Sequence, residues 1–192
     1  MGLVYEPASD GPIRQAELLA SIAEFQAIPD TDGDPTEVAT RKVKHPLAIV
    51  LSQDCDLEQD FNVRHPAEKP QPDREAVESS PTALTHILLC DAHEESELKK
   101  RLPSTFGSRD FRRIAGNQNE RYHRIEGAEI EGTGTIIEPL FLDFRRYFSI
   151  PCSAAYEQLN PGAAERTARL PAYYLHDLNH RFYSYLARVA IP

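Results

Sequence analysis

The sequence predicts an α+β domain of mainly β character: an antiparallel sheet or small β-barrel with attached helices, closed by a C-terminal amphipathic helix. Apolar runs bounded by proline or polar residues stand at 47–51, 84–90 and 140–150, the pattern of buried strands. Leu175, Leu178, Phe182, Tyr185, Leu186 and Val189 keep the i, i+3, i+4, i+7 spacing of one buried helical stripe over 174–189. Strands come first, then a helical excursion, more strands and the last helix, an order that fits an antiparallel sheet better than alternating βαβ units.

Residues 1–12 are polar and read as a loose lead-in. Over Gln15–Ile28, Leu18, Ala20, Ile22 and Phe25 alternate imperfectly, while Ala-Glu-Leu-Leu-Ala-Ser-Ile is also a good helix former, so helix and strand compete. Ile28–Pro35 is a turn cluster. Its Asp30, Asp32, Gly33 and Asp34 hint at a calcium loop, but the required glycine position and the terminal glutamate are missing, which leaves a solvated turn. Val38–Lys44 is expected to pair with the strand Leu47–Leu51. That strand stops abruptly at Ser52-Gln53-Asp54-Cys55-Asp56, so it delivers one thiol and two carboxylates to its C-terminal end.

Residues 62–82 hold four prolines among Glu, Ser and Gln and read as a flexible surface insertion within a single domain of 1–192. Leu84–Cys90 is a second buried strand, Glu94–Leu102 a short helix ended by Pro103, and Ser108 can cap a helix running to about Asn117. Arg121–Ile125 reads as a strand, Gly127–Gly134 as a turn, Leu140–Ile150 as a long aromatic strand or a bent strand pair and Cys152–Leu159 as a helical turn or two. Arg169-Leu170-Pro171 is a short strand or turn.

Composition limits the function. The 192 residues are 41% hydrophobic, enough for a sizeable core, and no run approaches the roughly 18 apolar residues of a membrane span. Cys55, Cys90 and Cys152 are an odd set without a secretion signal, which points to reduced thiols in a cytoplasm. Residues 1–80 carry 16 acidic and 7 basic side chains, while residues 81–192 carry 14 of each, so the whole net charge of −9 lies in the first part. Such an acidic chain is a poor phosphate binder in general, which disfavours RNA. The pairs Arg112-Arg113, Arg121 with Arg124, and Arg145-Arg146 soften that objection.

Two sets of residues carry a resemblance. His45–Ser52 resembles the Arg-Pro-hydrophobic-Ser strand of the PemK/MazF-like toxins, and Leu142–Pro151 followed by Arg169-Leu170 and a terminal helix resembles their late strand, Arg-Leu element and last helix. The resemblance implies an SH3-like small β-barrel, a strand at Gln15–Ile28, and metal-independent cleavage of RNA. The chain departs from the family at His45, where an arginine stands, at Ala16-Glu17, where Gly-Asp is usual, and in having no counterpart of its catalytic Arg plus Thr or Ser pair. Ser52–Leu57, Arg121-Tyr122-His123, Asp143–Tyr147 and Arg188–Pro192 also look like a group of uncharacterised bacterial proteins, which implies a bacterial, cytoplasmic origin.

Several candidate sites follow. Cys55 with His123 could form a thiolate–imidazole pair, although Asp54 and Asp56 would raise the thiol pKa. Cys90 and His93, with Cys55 and His65, could make a Cys2His2 zinc set, yet the spacing of the second pair is not a preferred one. Asp54, Asp56 and Asp143 could hold Mg²⁺, and His176 with His180 could bind a metal from the last helix. The reading preferred over these, which invokes neither metal nor cofactor, is a polar cluster of Ser52, Asp54, Cys55, Asp56 and Arg146. In it the carboxylates brace arginines from 121–124 or 145–146, because a charge at the end of a buried strand is costly unless paired. Two functions are expected: a non-catalytic binding or regulatory module of a bacterial toxin or defence system with a protein partner, or a PemK/MazF-type ribonuclease using His123, Arg121 and Arg145.

Overall fold

The computed structural model describes residues 11–29, 38–67, 70, 72–130, 136–159 and 162–189. The Asp30–Asp34 turn, nearly all of the lead-in, half of the Gly127–Gly134 turn and residues 190–192 lie outside the described residues. The chain is α+β. Its strands are β1 (Glu17–Pro29), β2 (Val38–Val50), β3 (His86–Glu94), β4 (Tyr122–Ile125), β5 (Ala128–Glu129), β6 (Ile136–Ile137), β7 (Leu140–Pro151) and β8 (Glu165–Arg169). Its helices are α1 (Asp54–Arg64), α2 (Arg74–Glu78), α3 (Glu95–Arg101), α4 (Ser108–Ala115), α5 (Cys152–Leu159) and α6 (Ala172–Val189). Six strands form one antiparallel sheet in the order β4-β7-β3-β2-β1-β8, and β5 pairs only with β6. The sheet ends on β4 and β8, so among the described residues it is open and not closed into a barrel. Helices cover both of its faces, so its apolar residues are buried without closure.

The ambiguity at 15–28 resolves as strand, and a kink explains it. Leu18 joins the core under α6, whereas Leu19 and Ile22 both join the core on the opposite face. That helix-like spacing of three arises because Ser21 takes a positive φ of 61° opposite Pro46, shifting the side-chain phase of β1. Pro46 has no N–H to lose from the ladder, and its fixed φ suits extended backbone. Val38–Lys44 and Leu47–Leu51, expected as two pairing strands, are therefore one continuous strand whose partner is β1. Beyond Ala20 and Leu47 the β1–β2 ribbon continues without β8 or β3 beside it.

One face of the sheet packs Leu18, Ile49, Cys90, Leu142 and Phe144 against Leu178 and Phe182 of α6, the stripe read from sequence. The other packs Leu19, Ala48, Val50 and Leu89 against Leu57 of α1 and Ala155 of α5. A smaller cluster puts Leu98 of α3 and Ile114 of α4 on Tyr122 and Phe141. α1 is the element the sequence concealed. Its buried residues are Leu57 and Asp60, so no apolar stripe marks it. The 62–82 stretch holds the last turn of α1 and then α2, where Asp73 accepts from the Ala76 N–H at 2.8 Å and Val77 is buried. Residues 68, 69 and 71 lie outside the described set.

α4 forms where expected, but Ser108 is its first residue and not its cap, and it ends at Ala115: Gly107 occupies the cap position, and its N–H donates to Asp110 at 2.9 Å. Asn117 ends the helix region with a φ of 53°. Its side-chain amide then pairs with Arg124 as a strand would, accepting from the Arg124 N–H at 2.6 Å and donating to its carbonyl at 3.1 Å. After β4 the chain turns sharply at Gly127, where a Cβ would stand 2.8 Å from the Ile137 carbonyl oxygen.

Candidate functional site

The Ser52–Asp56 motif is a latch at the end of β2. Ser52 Oγ accepts from the Leu88 N–H at 2.8 Å. Asp54 opens α1, accepts from the Gln15 N–H at 2.7 Å and pairs with Arg169 at the end of β8. The Gln15 amide donates to the Leu51 carbonyl at 3.2 Å and to Asn179 of α6 at 3.0 Å. Asp54 thus ties the start of α1 to Gln15, just ahead of β1, and to β8, while the Gln15 side chain extends the link to the end of β2 and to α6. The arginine that Asp54 meets is Arg169, not one from 121–124 or 145–146. Asp56 and Cys55 are exposed in the first turn of α1, where negative charge suits the helix dipole without any arginine. Cys55 Sγ touches only Gln53 and Asp56 by hydrogen bond, at 3.7 and 3.5 Å, and no contact joins it to His123 among the described residues.

The arginine candidates find a different carboxylate. Arg121 makes a two-pronged pair with Asp143, at 2.7 and 2.6 Å, and Arg146 approaches the same carboxylate at 3.8 Å. The Arg145 N–H donates to Asp143 at 3.1 Å while its side chain is exposed. The Asp143 hydrogen bond and, against it, burial leave the Arg121 pKa above its ordinary value. Cys90 and His93 point to opposite faces of β3, Cys90 into the core under α6 and His93 with Asp91. His176 and His180 are exposed. No group of three or more His, Cys, Asp or Glu side chains is arranged to hold a metal ion among the described residues.

His123 is 3% exposed beneath α6, stacked on Phe144, with Asp177 3.9 Å from Nδ1. Burial, reinforced by the Arg181 charge and only partly opposed by Asp177, pushes its pKa down to about 4. The unfolded imidazole protonates near pH 6.5, so folding resists protonation and stability falls as pH drops from 6.5 to 4. The loss attributable to this group is about 3 kcal/mol. Urea titrations across that range should show His123→Phe with a shallower acid decline than the parent. Parallel declines would mean that His123 titrates normally in the fold.

An arginine-lined groove lies beside these residues. Arg113, Gln118, Asn119, Glu120, Arg121, Tyr185 and Arg188 surround a cleft of about 370 Å³. A neighbouring depression of about 540 Å³ is lined by Arg109, Arg112, Arg113 and Gln118. Arg109, Arg112 and Arg113 sit at i, i+3, i+4 on α4 and have no carboxylate partner among the described residues. Arg188 pairs with Glu120 across the cleft. Arg181 of α6 holds the loop that forms the floor: it donates to the carbonyls of Asn117, Asn119 and Tyr122 at 2.8, 2.9 and 2.8 Å. Sequence reading missed Arg181, because a single arginine on a polar helix face carries no signal of the carbonyls it meets.

Three other buried charge centres were also missed. Asp60 is fully buried and holds Arg64 at 2.8 Å, the Leu84 N–H at 2.8 Å and the Cys152 thiol at 2.9 Å. Its spacing of four from Arg64 was the one available clue. Glu17 pairs with Arg166, which also donates to the carbonyls of Gly11 and Pro12. His45 bridges Asp91 at 2.6 Å and Glu24 at 3.1 Å and stacks on Phe148 at 3.7 Å. Burial alone would lower its pKa, but Asp91 and then Glu24 outweigh it and hold it above the ordinary value. No protein-family model matches the chain, and no curated protein or solved structure is significantly similar to it.

Proposed function

We propose that the chain is a non-catalytic binding module whose arginine groove holds an acidic segment of a partner protein. The observation that carries this is the contrast between the groove and His123, the imidazole proposed from sequence for acid–base work. Arg109, Arg112 and Arg113 are crowded and uncompensated on α4, whereas His123 is sealed under α6 and held neutral. Like charges at these spacings cost about 0.2–0.5 kcal/mol per pair in a free helix, and a polyanion relieves that cost. The groove draws on residues 109–188, the part of the chain where charge is balanced, so the acidic excess of residues 1–80 is not drawn on to line it.

A role in a bacterial conflict system rests on the resemblance to PemK/MazF-like toxins, as does an SH3-like origin for the sheet. The long β1–β2 hairpin, the late strand β7, the Arg-Leu strand end and the closing helix support that kinship. Three unpaired cysteines, two of them buried, agree with a reducing cytoplasm. No helix among the described residues is long and apolar enough to cross a membrane. The exposed groove favours one second reading, the ribonuclease, because phosphates would meet the same arginines. Against that reading, the exposed carboxylate in the groove, Glu120, is paired with Arg188, and His123 is sealed under α6.

Fluorescence anisotropy with a labelled oligoglutamate peptide tests the proposal. Binding should weaken with salt, and Arg112→Glu with Arg113→Glu should reduce affinity about tenfold or more. Single-stranded RNA should remain intact in metal-free buffer. Cleavage of that RNA by the parent and not by Arg121→Ala would replace the module with the nuclease.

A further inference from the structure

We infer that His45 is a pH-operated clasp: protonated, it fastens the β1–β2 ribbon to the rest of the sheet, and on losing its proton it lets the ribbon swing. The ribbon needs a fastening. Beyond Ala20 and Leu47 its two strands have only each other as ladder partners. An isolated two-stranded ribbon is marginal in water. Phe25, Ala27 and Ile28 are exposed along it, so burial does little to hold it down. The ladder also breaks at its root, where Ser21 takes a positive φ opposite Pro46. His45 stands next to that break.

The ring joins four strands. From β2 it directs Nδ1 to Asp91 of β3 at 2.6 Å and Nε2 to Glu24 of β1 at 3.1 Å, and its face stacks on Phe148 of β7. A neutral imidazole has one N–H and can satisfy only one of two carboxylates, so this geometry belongs to the imidazolium. Asp91 is buried and Glu24 mostly so, and the two carboxylates share this one cation where water reaches poorly. Removing the proton turns a ring lone pair on a carboxylate oxygen and leaves two negative charges on either side of an uncharged ring. The groups around the ring do not replace the lost charge. Phe148 is apolar. Glu24 Oε1 accepts from the Gln26 amide at 2.6 Å, and Gln26 passes the link to Arg41, which is exposed. His93 of β3 lies 4.0 Å from the second Asp91 oxygen. Burial lowers its pKa, and the charges of Arg101 and Arg146 add to that against Asp91, so it is neutral where His45 is charged. Gln158 of α5 holds the Ala23 N–H and carbonyl at 2.8 and 3.0 Å without a titratable group, so the ribbon stays tied at Ala23 and loosens beyond it.

Burial opposes the charge on His45, but Asp91 and then Glu24 outweigh it and hold the pKa above the ordinary 6.5. The clasp is therefore complete below pH 6.5 and opens as pH rises through the folded pKa. Millisecond pulse-labelled deuterium exchange of the full chain from about pH 6 to 9, corrected for intrinsic rates, tests this beside an NMR titration of the His45 ring. Protection of the amides of 24–28 and 39–44 should fall by about tenfold for each pH unit by which the ring's measured midpoint lies above 6.5. Residues 87–90 of β3 should stay protected. Glu24→Gln should move both the midpoint and the loss of protection to lower pH. His45→Phe, which keeps a ring against Phe148, should leave the ribbon weakly protected at every pH. A ring midpoint at or below 6.5, ribbon protection that does not change with pH in the parent, or a parallel loss at 87–90 would overturn the inference. So would a loss of protection that persists in His45→Phe with the parent's midpoint, because another group would then operate the ribbon.

Discussion

Asp60→Ala is expected to destabilise the fold by about 3–5 kcal/mol, the usual consequence of removing one partner from a buried ion pair. Asp60 is completely buried, and its two carboxylate oxygens satisfy a guanidinium, a backbone N–H and a thiol drawn from α1, the 83–85 loop and α5. Without it, Arg64 keeps the Leu84 carbonyl but loses its counter-charge at a site where its side chain is only 15% exposed. The Cys152 thiol, pushed up by burial and then by Asp60, loses its acceptor. For a chain of this size the loss corresponds to about 6–20 °C in melting temperature. Asp56→Ala, one turn earlier on the same helix, removes an exposed carboxylate and should shift stability by no more than about 0.5 kcal/mol. Calorimetry on the two variants gives a direct comparison. Equal effects would mean that the burial of Asp60 is not what holds α1 to α5.

Arg181→Met should have the second large effect, and it should appear in binding as well as in stability. Methionine keeps an unbranched apolar stem but removes the donors to Asn117, Asn119 and Tyr122. Three carbonyls then lose a charged donor, at about 2–4 kcal/mol in total once water has entered the loop. The loop they belong to carries Gln118, Asn119, Glu120 and Arg121, the floor of the groove. Amide exchange over 117–122 should accelerate, and oligoglutamate affinity should fall although no groove-lining arginine has been touched. Arg181→Lys should recover part of the stability, because a single ammonium reaches fewer carbonyls than the guanidinium fork. If Arg181→Met lowers neither affinity nor stability and leaves exchange unchanged, the loop is held by Asn117 and Arg124 instead.

Much of the fold was legible because hydrophobic pattern is a local property. Leu175 to Val189 on α6, the runs in β2, β3 and β7, and the Pro103 stop after α3 each follow from residues within one element. Where a segment is buried on both faces or mostly polar, that signal fails. β1 looked half-helical because the Ser21 kink placed Leu19 and Ile22 on one face, and α1 was hidden because half of its buried side is Asp60. At 52–56 the residues split: Asp54 binds an arginine, but it is Arg169, while Cys55 and Asp56, expected in the same cluster, are exposed.

What the sequence by itself determined was the α+β class and the order of its major elements. Which carboxylate meets which arginine was decided only by tertiary structure. Asp54 reaches 115 residues along the chain to Arg169, Arg121 reaches 22 to Asp143, and Arg181 reaches back to carbonyls 59 to 64 residues away. Charges attract without regard to sequence, and the interior offers each buried one only those partners that the strand order β4-β7-β3-β2-β1-β8 brings within a few ångströms. The sealing of His123, the clustering of Arg109, Arg112 and Arg113 beside Arg121 and Arg188, and the bridging of Asp91 and Glu24 by His45 are consequences of the same packing, which no local pattern encodes.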